Sequence, residues 1–266
     1  MRDAVGLSVI VPPDLDTDLL GTFSGEVERE GLPSEVVVRK ARFGMAEARL
    51  PLGIASEGSF RPHPELAFET GNHELMAFVD DEAGTVVVED LFTLDTNFAN
   101  IKVSRADDLA SFLVRVGFPA HALIVVPNDR IRVDHDERVR LVLEDVPDQQ
   151  LFKGIADRAA LTLAVKQCAA LSGDGIAHVE TDMRAHLNPT RMRTIAALAV
   201  QLGRRLATLC PSCNAPGWGR VAAKWESAEG AGLVVVSETM GCASCTSQQV
   251  VTRQPAMVHG ATRVNG

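Results

Sequence analysis

Apolar and polar positions along the chain fall into short blocks whose period switches between two and 3.6 residues. GLSVIV (6 to 11) predicts a buried strand, stopped by Pro12 and Pro13. Pro33 and Ser34 open a helical stretch reaching about residue 49. LGIAS (52 to 56) predicts a short buried strand that runs into a turn, EGSFRPHP. ELMAFVD (74 to 80) and TVVVE (85 to 89), separated by Asp81, Glu82, Ala83 and Gly84, predict a β-hairpin. A helix follows over 105 to 116, then the strand HALIVV (121 to 126), a charged excursion through 128 to 150, and a helix from about 155 to 171. The strand IAHVE (176 to 180) leads through the loop TDMRAHLN into the clearest helix of the chain. There Met192, Ile195, Ala199, Leu202, Leu206 and Leu209 form one apolar stripe, and Asn188 and Pro189 fit the N-cap and first position.

Strands alternating with helices predict an α/β fold, a layered mixed sheet with flanking helices over residues 1–205. Near Cys210 the periodicity fades, and Gly, Cys and Ser become frequent. A small C-terminal zinc-ribbon-like module over residues 206–266 is therefore expected.

Charge narrows the function. The net charge is −9, from 26 basic and 35 acidic residues, which argues against broad nucleic-acid binding. Of the 26, 21 are Arg and five are Lys. No long apolar run marks a membrane span, and the start, MRDAVGLSVIVPP, lacks a small-residue cleavage pattern, so a cytoplasmic location is expected.

In that compartment, the spacing Cys210-Pro-Ser-Cys213 and Cys242-Ala-Ser-Cys245 reads first as four thiolates around a structural Zn²⁺, with a thiol redox pair as the alternative. Cys168, alone in an apolar helix, is expected in the core. A second signal is TDMRAHLNPTRMR (181 to 193), between a strand end and a helix start, where free N–H groups attract anions. Arg184, His186, Arg191 and Arg193 gather there although cations in a first turn oppose the helix dipole. One reading is a phosphorylated small molecule, such as a nucleotide, bound by Arg184, Asn188, Arg191 and the helix start. The other is that these arginines pair with carboxylates of their own domain.

A third signal lies in the turns at 14 to 29 and 53 to 64. Asp14, Asp16 and Asp18 open like a calcium loop, but Leu19 and Gly25 occupy the positions that need Gly and Glu. Glu57 beside Gly58, with Ser24, Ser56, Ser59 and His63, suits Mg²⁺ bridging to a substrate phosphate, against solvated turns as the plain alternative. In the hydrolytic scheme, Glu57 and Asp182 hold Mg²⁺ and a metal-bound water attacks phosphorus. Arg184 and Arg191 neutralise charge and His186 moves a proton. The competing scheme is a non-catalytic adaptor whose tail meets a protein partner. His73 and His121 read as hydrogen-bonded structural histidines.

GTFSGEVER, GIASEGSF-x-PHP, Thr96-Asn97, GFPAHALIV, KGI (153 to 155), ETDMRAHLNPTRM and CPSC-x-x-PG-x-G together resemble a bacterial family grouped as a domain of unknown function, over about residues 13 to 245. By that resemblance, a further N-terminal strand and an additional cysteine pair would be usual. Here WESAEGAG stands between the two knuckles, and Arg61 stands where Gly is usual. A fainter similarity of motif order links Ser24-Gly25, Glu35 with Lys40-Ala41, Glu57-Gly58 and Arg191 to the inosine-triphosphate-pyrophosphatase superfamily. It implies an analogy of fold more than of reaction.

Overall fold

A computed structural model describes residues 1–13, 15, 31–62, 70–130, 132–133, 139–140, 151–228 and 232–252. Ser24, Asp14, Asp16, Asp18, Leu19, Gly25 and His63, singled out in the sequence, lie outside the described residues. After a single helical turn, α1 (Arg2–Val5), the chain enters α2 (Pro33–Ala48). Pro33 supplies the first position, and the Glu35 carboxylate accepts the Leu32 N–H at 2.9 Å. Arg49, in the left-handed region at φ 53°, ends the helix.

Three antiparallel strands follow in order: β1 (Leu52–Pro62), β2 (Thr70–Asp80) and β3 (Thr85–Thr93). The strand expected to stop at 56 runs six residues further, because β2 continues opposite it to the pair Pro62↔Thr70. Glycine, proline and charge there look like a turn in sequence, yet the pairing partner overrides local propensity. Side chains alternate across this sheet. Leu75, Ala77 and Val79 meet Val37, Ala41 and Met45 of α2, whereas Met76 and Phe78 meet Leu198, Leu202 and Leu206 of the last helix. Helices thus cover both faces.

β4 (Asn100–Val103) leads through a 3₁₀ turn, Ala106–Leu109, into α3 (Ala110–Val116) and β5 (Leu123–Pro127). The two-residue strands β6 (Arg132–Val133) and β7 (Val139–Arg140) pair within the charged excursion. Next come β8 (Phe152–Ile155), α4 (Arg158–Leu171), β9 (Ala177–Thr181) and α5 (Pro189–Ala207). The helix expected from residue 155 starts later because 152 to 155 pair as β8, and the Asp157 carboxylate caps α4 at the Ala160 N–H, 2.9 Å away.

The second sheet has the order β4-β9-β5-β8. Leu109, Phe112, Leu161, Val165 and Cys168 pack on Leu123, Val125, Ala177 and Val179. Cys168 is fully buried, as expected, and burial pushes its thiol up to about 12. The tail forms β10 (Gly219–Ala228), β11 (Gly232–Gly241) and β12 (Gln248–Thr252).

The α/β class with flanking helices holds. The sheet expected to be mixed is divided among separate sheets, and every described pairing is antiparallel. One expectation fails outright: GLSVIV is no strand. Val9, Ile10 and Val11 are more than half exposed, and no strand among the described residues pairs with them.

Candidate functional site

The tail begins with a tight turn directly after α5. Cys210 N–H donates to Ala215 O at 2.8 Å, and Asn214 N–H donates to Cys210 O at 2.9 Å, with Asn214 in the left-handed region. Backbone N–H groups then point at sulfur: Ser212 to Cys210 Sγ at 3.4 Å, and Ser244 to Cys242 Sγ at 3.2 Å. The two turns place all four sulfurs within 4.8 Å of one another. Cys210 and Cys245 are 3.8 Å apart and Cys213 and Cys242 are 3.6 Å apart, far longer than a disulfide. A tetrahedral Zn²⁺ with Zn–S bonds of about 2.3 Å requires sulfur separations of about 3.8 Å, so the four cysteines fit a metal ion. Burial pushes the Cys210 thiol up, but N–H groups of Cys213 and Ser212 and the neighbouring thiols outweigh it and bring it down to about 6.

This module is fastened to the α/β layers. Arg205 on α5, 9% exposed, donates to Glu89 at 2.6 Å and to the carbonyls of Val88, Gly217 and Arg220 at 3.1 Å each. Thr85 and Ser244 share a hydrogen bond of 2.8 Å. Gly217 has φ 97°, and a Cβ there would stand 2.7 Å from Val87, so only glycine lets the turn approach β3 this closely.

A second constellation lies around Glu57 and Gly58 of β1. Lys40 from α2 reaches Glu57 at 2.5 Å on one face of the sheet. Arg191 from α5 reaches Glu74 at 2.5 Å on the other and donates to Met183 O at 2.6 Å. Side-chain exposures are 10% and 1% for the first pair and 4% and 0% for the second. Phe60 lies under the Arg191 guanidinium, 6.0 Å away, and stacks on Phe98. Gly58 is required by space: a Cβ would collide with the Glu74 carboxylate and the Arg191 guanidinium. Beside these pairs, Ser59 Oγ and Asn72 Oδ1 are buried with no hydrogen-bond partner among the described residues. Ser56 is half-buried one residue before Glu57.

The remaining residues singled out in sequence lie across α5's start. The Asp182 carboxylate is filled: it accepts Gly154 N–H at 3.1 Å, Arg184 N–H at 3.0 Å and the Arg184 guanidinium at 2.6 Å. Asn188 caps α5 at Arg191 N–H, 3.0 Å away, and donates to Asn97 at 2.9 Å and Asp182 O at 3.2 Å. His121 Nε2 faces Thr190 at 3.0 Å, and His73 faces Asp90 at 3.1 Å, so both histidines are hydrogen-bonded. His186 is exposed, and Arg193 faces Asp95 at 3.5 Å on the surface.

Each of the three arginines therefore has a carboxylate beside it, and Glu57 and Asp182 belong to separate ion pairs. Among the described residues, the cysteines alone form a group of three or more Cys, His, Asp or Glu ligands close enough to share an ion. Mg²⁺ between Glu57 and Asp182 has no support in that arrangement. Sequence reasoning missed Glu74, although a carboxylate at an inward position of an otherwise apolar strand, ELMAFVD, is itself a signal of a buried partner.

Fold and cysteine geometry together define an α/β protein carrying a four-cysteine, zinc-ribbon-like module suited to a metal ion. Residues 40–251 match the family described as Domain of unknown function (DUF6671), and the chain belongs to that family. No curated protein and no solved structure matches it. Among the described residues, no helix is long and apolar enough to cross a membrane.

Proposed function

We propose that this chain binds a phosphorylated small molecule at the charged cluster around Glu57 and Gly58, and that a structural Zn²⁺ holds the tail. One observation carries the reading: Lys40, Glu57, Glu74 and Arg191, from four separate elements, form two ion pairs on opposite faces of the sheet at neighbouring positions of β1, at no more than a tenth exposure. Desolvating charges costs several kcal/mol per ion, and buried pairs commonly add little net stability. Charges held in place at that cost mark a candidate site for a charged ligand. Lys40, on the face toward α2, supplies a cationic donor suited to phosphate oxygens. Ser59 Oγ and Asn72 Oδ1 add buried polar atoms for a ligand or a water to satisfy.

Calorimetric titration with inorganic pyrophosphate and a panel of nucleotides and sugar phosphates tests it. Saturable binding at one site per chain is expected, weakened about ten-fold or more in Lys40→Gln, whose lost charge-assisted bond is worth about 1.5–3 kcal/mol. Release of phosphate or pyrophosphate in the same assay would add hydrolysis to binding. No binding across the panel, with one zinc per chain retained, would turn the reading to the adaptor whose tail meets a protein partner.

A further inference from the structure

Beside Lys40 the structure contains a cavity of about 470 Å³, within the size range of small-molecule sites. Its walls come from α2, from residues 50 to 56 before and along β1, and from the extended N-terminal segment 7 to 12, whose Val9, Ile10 and Val11 form an apolar lip. Among the described residues, Lys40, Ser56 and Ser8 supply its polar side chains, and Lys40 its one charged side chain. Lys40 is the ion-pair partner of Glu57 and Ser56 precedes it in β1, so the cavity adjoins the Lys40–Glu57 pair.

Gly44 makes the cavity more than a packing gap. It lies inside α2 with ordinary helical backbone, and glycine is the poorest helix former after proline. A Cβ built on Gly44 would meet no atom within 4 Å, so neither a left-handed conformation nor a close neighbour requires glycine there. What the missing side chain preserves is open volume in the cavity wall. Gly53, also in the wall, contrasts with it: a Cβ there would strike Met45 and the Ala41 carbonyl, so that glycine is explained by packing.

We infer that the phosphorylated ligand carries an apolar body, ring or chain, that fills this cavity past Gly44 while its anionic group reaches Lys40 and Ser56. The inference rests on the phosphate-binding reading and specifies its substrate class as amphipathic phosphate esters in place of sugar phosphates. The apolar lip excludes water from the body, and the single cation at the inner end orients it.

The test uses the full zinc-loaded chain and 1-anilinonaphthalene-8-sulfonate, a fused-ring body with one anionic group, followed by fluorescence well below the melting temperature. One saturable site per chain is expected. Gly44→Leu, which fills the cavity, should weaken it about ten-fold or more, whereas Gly44→Ala should change it less than about three-fold. Both variants should melt no lower than the wild type, which separates loss of the cavity from loss of the fold. Dye binding unchanged in Gly44→Leu overturns the inference, as does binding without saturation. Inorganic pyrophosphate, lacking an apolar body, should bind Gly44→Leu as it binds the wild type. Pyrophosphate binding with an unaltered dye site would leave the phosphate reading standing and remove only the cavity, whereas a Gly44-sensitive dye site without pyrophosphate binding would do the reverse.

Discussion

Arg191→Met should cost about 3–5 kcal/mol of stability, read as a fall in the urea midpoint at unchanged slope. Its guanidinium is 4% exposed and lies 2.5 Å from a fully buried Glu74. Removing one partner strands the other charge in an apolar layer between β2 and α5, and also takes the donor from Met183 O. Glu74→Gln should cost a comparable amount for the same reason. The double substitution Arg191→Met with Glu74→Leu should recover much of the loss, because apolar side chains of similar volume often replace a buried ion pair at little cost. If that stable double variant also fails to bind pyrophosphate, the pair serves the ligand and not the fold. Single variants within about 0.5 kcal/mol of the wild type would show that water reaches this pair in solution.

Metal removal is the second large effect. The chain purified without chelators should carry one Zn²⁺, and Cys213→Ser or exhaustive chelation should abolish it. Structural zinc sites contribute about 10–16 kcal/mol of apparent binding free energy, and a three-stranded sheet as small as β10-β11-β12 has little core of its own. Hydrogen exchange should therefore become fast throughout β10 to β12 on chelation, while the amides of β5 and β9, buried under α3 and α4, keep their protection. Tail protection that ignores chelators, in a protein that carries no metal, would leave Arg205 and Thr85 as sufficient fasteners and remove the structural role of zinc.

The residues most legible in sequence were those whose role is set locally. Asn188 and Pro189 start α5 as expected, Cys168 lies in the core, and the C-x-x-C spacing alone places two sulfurs on each turn. What could not be read depended on distant partners. GLSVIV has the composition of a strand, but strand formation needs an edge to pair with, and none among the described residues takes it. Residues 57 to 62 have the composition of a turn, yet they pair because β2 continues beside them. Charges at the arginine-rich helix start were visible, but their disposition was not: Arg184 and Arg191 face Asp182 and Glu74 across tertiary contacts, and a periodicity argument has no access to that choice. The Lys40–Glu57 pair joins residues 17 positions apart on different elements. Only the order of motifs hinted at it.

Arg191 and Arg205 both project from α5 onto the same three-stranded sheet, one gripping Glu74 on β2 and the other Glu89 on β3. Fourteen residues separate them, about four helical turns, so both guanidinium groups fall on one face with Leu198 and Leu202 between them. The helix is pinned at both ends, and the pins fix its length as well as its position. Substitutions between them need only keep the apolar stripe. Inserting or deleting one residue there would turn one guanidinium by about 100° away from its carboxylate. Length variation among sequences that share this fold should accordingly accumulate in the connections around α5 and be absent from residues 192 to 204.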